Sequence, residues 1–131
     1  MSSSSSEKDS YETLVSRLFE LPFVRYAVVT DDFGRRYTGG MKPGVESTTP
    51  IEIEKRLETQ AVLILKMAEG YVPYDGNLLW SSIHWEKVVA LFFLLGQDKG
   101  TLSLTLEGNS SLEAALQVHQ LVEDWKRDKA K

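Results

Sequence analysis

The spacing of apolar residues changes its period several times along the chain, and each change predicts a new element. Three segments have apolar residues every three or four positions, which is typical of helices with one buried face. Five shorter segments are apolar, alternating or rich in β-forming residues, as strands are. The predicted order is helix, two strands, helix, three strands, helix, over residues 10–19, 24–30, 35–38, 50–69, 78–85, 88–95, 101–107 and from 110 onward.

The first two strands are predicted to form a hairpin. Residues 24–30 are apolar on both faces, which favours a central position in a sheet. Residues 31–34 read Asp-Asp-Phe-Gly and supply turn formers. Residues 35–38 are short and polar and are followed by Gly39 and Gly40, so we expect an exposed edge strand guarded by charge.

The last predicted strand alternates strictly between leucine and small or polar residues. Its leucines all point to one face, and threonine, serine and glutamate point to the other. We therefore expect one face of the sheet to be partly solvated.

The helix over residues 50–69 has the clearest start in the chain. Thr49 is placed to cap it, Pro50 fits the first helical position, and Glu52 is placed to reach back to the cap. Gly70 is predicted to end it.

This long helix has more apolar surface than one buried face needs. At about 100° per residue, the main stripe comprises Ile53, Leu57, Ala61, Ile64 and Ala68. A smaller stripe comprises Ile51, Val62 and Leu65, with Glu58 and Glu69 beside it. We expect the main stripe to pack on the sheet and the smaller one to be covered by another subunit or a partner. The alternative is that the N-terminal tail or a loop covers it.

Length and composition indicate one globular domain. The chain has 131 residues, of which 42% are hydrophobic and 26% charged, enough to form one core. Its formal net charge of -4 argues against nucleic-acid binding, which favours a clustered basic face. Residues 1–9 are mostly serine and charged residues, so we predict a disordered tail there and a domain over 10–131.

The chain also carries few signs of export or membrane insertion. It has no cysteine, so disulfides and thiolate chemistry are excluded. Its longest apolar runs fall short of the roughly 18 to 20 residues that cross a membrane, and the first residues lack the apolar core of a secretory signal. We therefore expect a cytoplasmic protein without membrane insertion.

Two short motifs partly match known reaction or nucleotide sites. Asp32-Phe33-Gly34 matches the metal-binding triad of protein kinases, but the chain is too short for that fold and lacks the accompanying motifs. Gly39, Gly40 and Gly44 are not followed by the Lys-Ser/Thr of a phosphate-binding loop. We interpret the first as a turn and expect no nucleotide site at the second.

The histidines and tryptophans are also better explained by structural roles than by metal or base binding. His84 and His119 lie in different predicted elements without other ligand residues nearby, so no metal site is expected. Trp80 and Trp85 lack the basic groove that would accompany base stacking, which favours a core or interface role. We predict no catalytic residue, no cofactor and no metal.

The chain resembles the roadblock family, also called the dynein light chain 7 family, which belongs with profilin-like and longin-like folds. The resemblance covers the element order from about Ser10 to Lys126. It also rests on the hairpin YAVVTDDFGRRYTGG at residues 26–40 and on the final strand and helix, LSLTLEG and SLEAALQVHQLVED, at 102–108 and 111–124.

The resemblance implies an α/β (α+β) fold: one five-stranded antiparallel sheet with the long helix on one face and the terminal helices on the other. It implies a homodimer that pairs the long helices and the edge strands after them. It further implies a non-enzymatic scaffold or regulator of a small GTPase or a larger complex. The predicted interface comprises Ile51, Glu58, Val62, Leu65, Glu69, Trp80, Ser82 and His84.

Two other function classes stay open. A small-ligand sensor would have a pocket between the sheet and a helix, since related mixed α/β folds enclose ligands there. An enzyme would need at least a cleft that converges on His84 or Asp32.

Overall fold

The predicted order of helices and strands is confirmed, with one short helix added. A computed structural model describes residues 3–96 and 99–130. Its elements in chain order are α1 (Ser3–Phe19), β1 (Val24–Thr30), β2 (Arg36–Met41), α2 (Ile51–Glu69), α3 (Val72–Asp75), β3 (Ser81–His84), β4 (Val88–Leu94), β5 (Thr101–Glu107) and α4 (Leu112–Ala130).

The five strands form one sheet in the order β2-β1-β5-β4-β3, and all neighbours are antiparallel. The seven-residue strands β1, β5 and β4 lie inside the sheet, where both faces are covered. The polar β2 and the four-residue β3 form the two edges. The predictions of a central first strand and an edge second strand are confirmed.

Helices cover both faces of the sheet, as the fold class predicted. Helices α1 and α4 pack on one face in a large core to which β5 contributes Leu102, Leu104 and Leu106. Helix α2 packs on the other face through Ala61 and Leu65, which contact Ala90 and Phe92 of β4. The core therefore has two parts, a larger one under α1 and α4 and a smaller one under α2, on opposite faces of the sheet.

The small residues of β5 are less solvated than expected. Thr101 and Ser103 are buried and Thr105 is half-buried, because α2 covers the face to which they point. The expectation of a partly solvated sheet face is wrong at the first two positions. A covered face lined by small side chains leaves space under the helix.

Helix α1 starts earlier than predicted. It begins at Ser3, so residues 3–9, predicted as a disordered tail, are helical, while residues 1 and 2 lie outside the described residues. Asp9 is inside the helix, where its carbonyl accepts a hydrogen bond from Thr13 Oγ1 at 3.0 Å, and does not cap it. The extra turns reach the loop before β5, where Lys99 Nζ lies 3.9 Å from Glu7 Oε1.

Residues 31–34 form the predicted turn between β1 and β2. Asp31 Oδ1 accepts hydrogen bonds from the backbone N–H of Phe33 at 2.8 Å and of Arg35 at 2.9 Å. Desolvation tends to raise the pKa of Asp31, but these hydrogen bonds and the Arg35 guanidinium lower it overall. The strand that follows runs through Gly39 and Gly40 and is longer than predicted.

Two other boundaries differ from the prediction. Pro50 is the N-cap residue of α2 and Thr49 does not cap it; instead the Ser47 hydroxyl bonds to the Glu54 carboxylate and accepts the Thr49 N–H at 3.1 Å. Strand β3 has four residues where eight were predicted, because only Ser81–His84 pair with β4.

Candidate functional site

A buried polar network fastens α2 to the sheet. The Arg36 guanidinium of β2 donates to both carboxylate oxygens of Glu58 on α2, at 2.8 and 2.7 Å, and to the Tyr26 hydroxyl at 2.7 Å. Tyr26 of β1 in turn donates to the Glu58 carboxylate. The Glu58 side chain is almost fully buried, so its charge is neutralised by these partners rather than by water.

The network shifts the ionisation of its members in the expected directions. Burial raises the pKa of Tyr26 well above its ordinary value, and the hydrogen bond to the Glu58 carboxylate raises it further. The same carboxylate raises the pKa of the Arg36 guanidinium. Both groups therefore stay protonated at neutral pH and keep Glu58 paired.

The predicted assignment of the two α2 stripes is partly wrong. Glu58, Val62 and Leu65, which were predicted at an interface, are buried within the chain. Leu65 packs on β4, and Glu58 pairs with Arg36 of β2. Ile53 and Ile64, predicted in the core, are 42% and 37% exposed. The reason is Glu58. Apolar periodicity placed this charged residue on the outer side of the helix. Its ion pair with Arg36 instead holds it towards the sheet, and the rest of the helix is oriented accordingly.

The exposed apolar surface of α2 lies on the flank opposite to the predicted one. Lys66 lies next to Val62 on the predicted flank, and its Nζ is 3.8 Å from Asp32 Oδ1. The predicted flank therefore faces the β1–β2 turn. At about 100° per residue, the other flank gathers Ile53, Leu63, Ile64 and Met67, all of them exposed. We call these four residues the outer stripe.

More exposed apolar side chains follow directly after α2. Tyr71, Tyr74 and Leu79 are 65%, 84% and 59% exposed. They lie on either side of and within the short helix α3, which links α2 to the edge strand β3. The apolar surface of the outer stripe therefore continues along the chain towards the edge of the sheet.

The edge strand β3 carries two of the predicted interface residues, and a third, Trp80, directly precedes it. Ser82 and His84 are exposed, and Ser82 Oγ lies 3.3 Å from His84 Nε2. Trp80, just before β3, is half-buried against Phe93 and His119 on the face covered by α1 and α4. Within the described residues, β3 pairs only with β4, so its outer edge has free backbone groups.

The remaining two predicted interface residues are exposed. Ile51 and Glu69 lie at the two ends of α2, on the flank of Val62. The structure thus separates the eight predicted residues into three in the core, one half-buried residue and four on the surface. The outer stripe was missed because nothing in the apolar spacing distinguishes its isoleucines from core residues.

A cavity of about 740 Å³ lies between the first half of α2 and the sheet. Its floor includes Ala90, Ser103 and Thr105 on neighbouring strands, where Ala90 is paired with Thr105. Leu57 of α2 lies above, and Trp85 lines the wall near the β3–β4 turn. The cavity exists because these floor residues are small at the place where the helix crosses them. The strict alternation of β5 was the signal that could have predicted it.

The candidate chemical residues are not brought together. His84 lies on the edge strand β3 and Asp32 in the turn before the opposite edge strand, with the whole sheet between them. His119 packs beside Trp80 and Phe93, with ring centroids 5.4 and 6.4 Å away. No group of three or more potential ligands, His, Cys, Asp or Glu, is placed to hold a metal ion within residues 3–96 and 99–130.

None of the helices described in the structure is both long and apolar enough to cross a bilayer.

Comparison with known proteins identifies the fold through solved structures. No family model matches the chain, and no curated protein matches it. Among solved structures, a roadblock/LC7 domain from Streptomyces avermitilis covers 91% of this chain and 97% of its own, with a TM-score of 0.64 at 10% identity. The chain has the roadblock/LC7 fold.

Two further solved structures are similar to the chain over most of its length. MglB from Myxococcus xanthus has a TM-score of 0.69 at 11% identity, covering 94% of this chain and 90% of its own. A structure described as MglB with tetrameric arrangement has a TM-score of 0.66 at 18% identity, covering 90% and 88%. The segments that carried the resemblance form elements of this fold. Residues 26–40 form most of the β1–β2 hairpin, and 102–124 span β5 and most of α4.

Proposed function

We propose that this roadblock/LC7-fold chain is a non-enzymatic cytoplasmic interaction module, a homodimeric scaffold or regulator of a small GTPase or a larger complex. The observation that carries the proposal is the outer stripe. Four large apolar side chains on one helix flank, each at least 37% exposed, form a surface of the kind that partners cover.

The free edge of β3 supports the same proposal. An uncovered strand edge is a template for pairing with another strand, and here it follows the apolar surface of α2 and α3 along the chain. The resemblance implies dimers built from this helix and this edge strand. Ser82 and His84 on β3 would then lie at or beside the contact, and Ile51 and Glu69 at its margin.

The test compares a charge on the outer stripe with the same charge elsewhere. Met67→Glu should dissociate a dimer and leave the fold intact, because Met67 is 74% exposed. Leu112→Glu is the matched control, since Leu112 is 68% exposed on α4, on the other face of the sheet. Light scattering at micromolar concentration gives the mass of each variant, and circular dichroism reports its fold.

Val62→Glu gives a second control. Because Val62 is 4% exposed, this change should unfold the chain rather than dissociate it. If the unchanged chain is a strict monomer, the homodimer proposal is wrong. If Met67→Glu keeps the mass of a dimer, the outer stripe is not part of the dimer interface.

The regulatory part of the proposal needs its own experiment. Immobilised chain is mixed with native cell extract, with and without GTP analogues, and the unchanged protein is compared with Met67→Glu. Retention of a small GTPase that depends on the bound nucleotide supports regulation. Absence of any nucleotide-dependent GTPase contradicts this part and leaves the dimer proposal as it stands.

The cavity favours a second candidate function, ligand sensing. Small-molecule sites are mostly apolar clefts of roughly 300 to 1,000 Å³, and the space under α2 is about 740 Å³. A sensor would use it to bind a compound between the sheet and the helix whose outer stripe contacts the partner.

A further inference from the structure

The charged groups inside the cavity are already paired. Arg25 donates to the Glu107 carboxylate at 3.2 and 3.3 Å, and Glu58 is held by Arg36 and Tyr26. Glu54 bonds to the Ser47 hydroxyl. A charged ligand would have to break one of these pairs to find a counter-ion inside.

The charged lining residues without an ion-pair partner in the described part of the chain are at the rim. Arg56, Glu86 and Lys87 also line the cavity, but all three are exposed to solvent. Charges of both signs in contact with water attract a ligand only weakly. The electrostatics therefore select against a strongly charged compound.

One buried polar group faces the cavity without a partner. Ser103 is 3% exposed and lines the floor, and its hydroxyl has no hydrogen-bond partner among the described residues. Leaving a buried hydroxyl unpaired costs free energy, and such groups in native proteins normally bind a partner. Apolar surfaces of Leu57, Ala90 and Phe92 lie around it.

We infer that the cavity binds an uncharged, mainly apolar small molecule whose one hydrogen-bonding oxygen pairs with the Ser103 hydroxyl. The inference rests on the ligand-sensing candidate and deepens it by naming the ligand class and the residue that recognises it. It does not depend on dimer formation. The apolar body of the ligand lies between α2 and the floor, and its oxygen points to β5.

The experiment uses three probes of one shape: 2-naphthol, naphthalene, which lacks the oxygen, and 2-naphthoate, which is charged at neutral pH. Binding to the full chain is followed by NMR shifts of the backbone amides of Ser103 and Thr105. 2-Naphthol should bind most tightly of the three. Ser103→Ala should weaken the binding of 2-naphthol by about fivefold, which corresponds to one hydrogen bond. It should leave the affinity for naphthalene unchanged.

Two controls make the result specific. Ser16→Ala makes the same change on an exposed position of α1, away from the cavity, and should alter neither probe. Without ligand, Ser103→Ala should not lower the unfolding midpoint, because the hydroxyl has no partner to lose. A lowered midpoint would mean that Ser103 has a structural role instead.

The outcomes distinguish failure of the inference from failure of ligand sensing. If naphthalene binds as well as 2-naphthol, or if 2-naphthoate binds best, the cavity takes ligands but the inferred class is wrong. If none of the probes binds, the cavity does not accept a compound of this size, and ligand sensing and the inference both fail. Light scattering on the same samples reports the oligomeric state separately.

Discussion

At the residue scale, Glu58 decides how α2 sits on the sheet. Its carboxylate is the acceptor that joins β1, β2 and α2, and it is buried with Arg36 as its ionic partner. Removing one member of a buried pair leaves the other charge uncompensated, which is more costly than losing an exposed pair. Glu58 is thus a structural residue at a position predicted as an interface.

Glu58→Gln should therefore destabilise the chain strongly. We expect a loss of about 3 kcal/mol in the free energy of unfolding, the lower end for a broken buried pair, because Arg36 keeps some access to water. Urea unfolding followed by circular dichroism measures it. Glu52→Gln, an exposed position on the same helix, is the matched control. Equal midpoints for the two variants would contradict the anchoring role.

At the element scale, the strands were more predictable than the helix faces. Strands β1 and β5 have the predicted bounds, because their periodicity and their flanking turns agree. The face of α2 was not predictable from apolar spacing, since a buried Glu58 and exposed isoleucines break the rule on which the method depends. The alternation of β5 indicates a face of small residues, but the cavity also needs β1 and β4 beside it, and that arrangement is not visible in β5 alone.

The packing of α1 on α4 gives an element-scale prediction for alkaline pH. Tyr11 of α1 is buried and stacks on Trp125 of α4, with ring centroids 5.8 Å apart. Burial, with a smaller contribution from Glu7, raises the pKa of Tyr11 from 10.0 to about 12. The unfolded chain releases this proton from about pH 10, while the folded chain keeps it, so stability falls between about pH 10 and pH 12.

Urea midpoints measured from pH 8 to pH 11 test this dependence. Tyr11→Phe keeps the ring but has no proton to release, so its midpoint should fall less steeply above pH 10 than that of the unchanged chain. Tyr74→Phe is the control, because Tyr74 is 84% exposed. Identical slopes for all three proteins would show that Tyr11 titrates normally in the folded state.

At the scale of the whole molecule, the two covered faces of the sheet are unequal. The face under α1 and α4 holds most of the large buried side chains. The face under α2 has a smaller core, a cavity and the outer stripe. Association through α2 would complete the less filled side of the molecule, so the proposed partner binding and the proposed ligand binding would involve the same helix.

A homodimer completed in this way should have a stability that depends on protein concentration. Because association stabilises the folded state by mass action, the urea midpoint should rise between about 1 µM and 100 µM chain. Each tenfold step contributes up to about 1.4 kcal/mol per dimer. Met67→Glu should abolish the dependence by charging the outer stripe, whereas Leu112→Glu should keep it. A midpoint for the unchanged chain that is constant over this range would mean that α2 is stable on its sheet without a second copy.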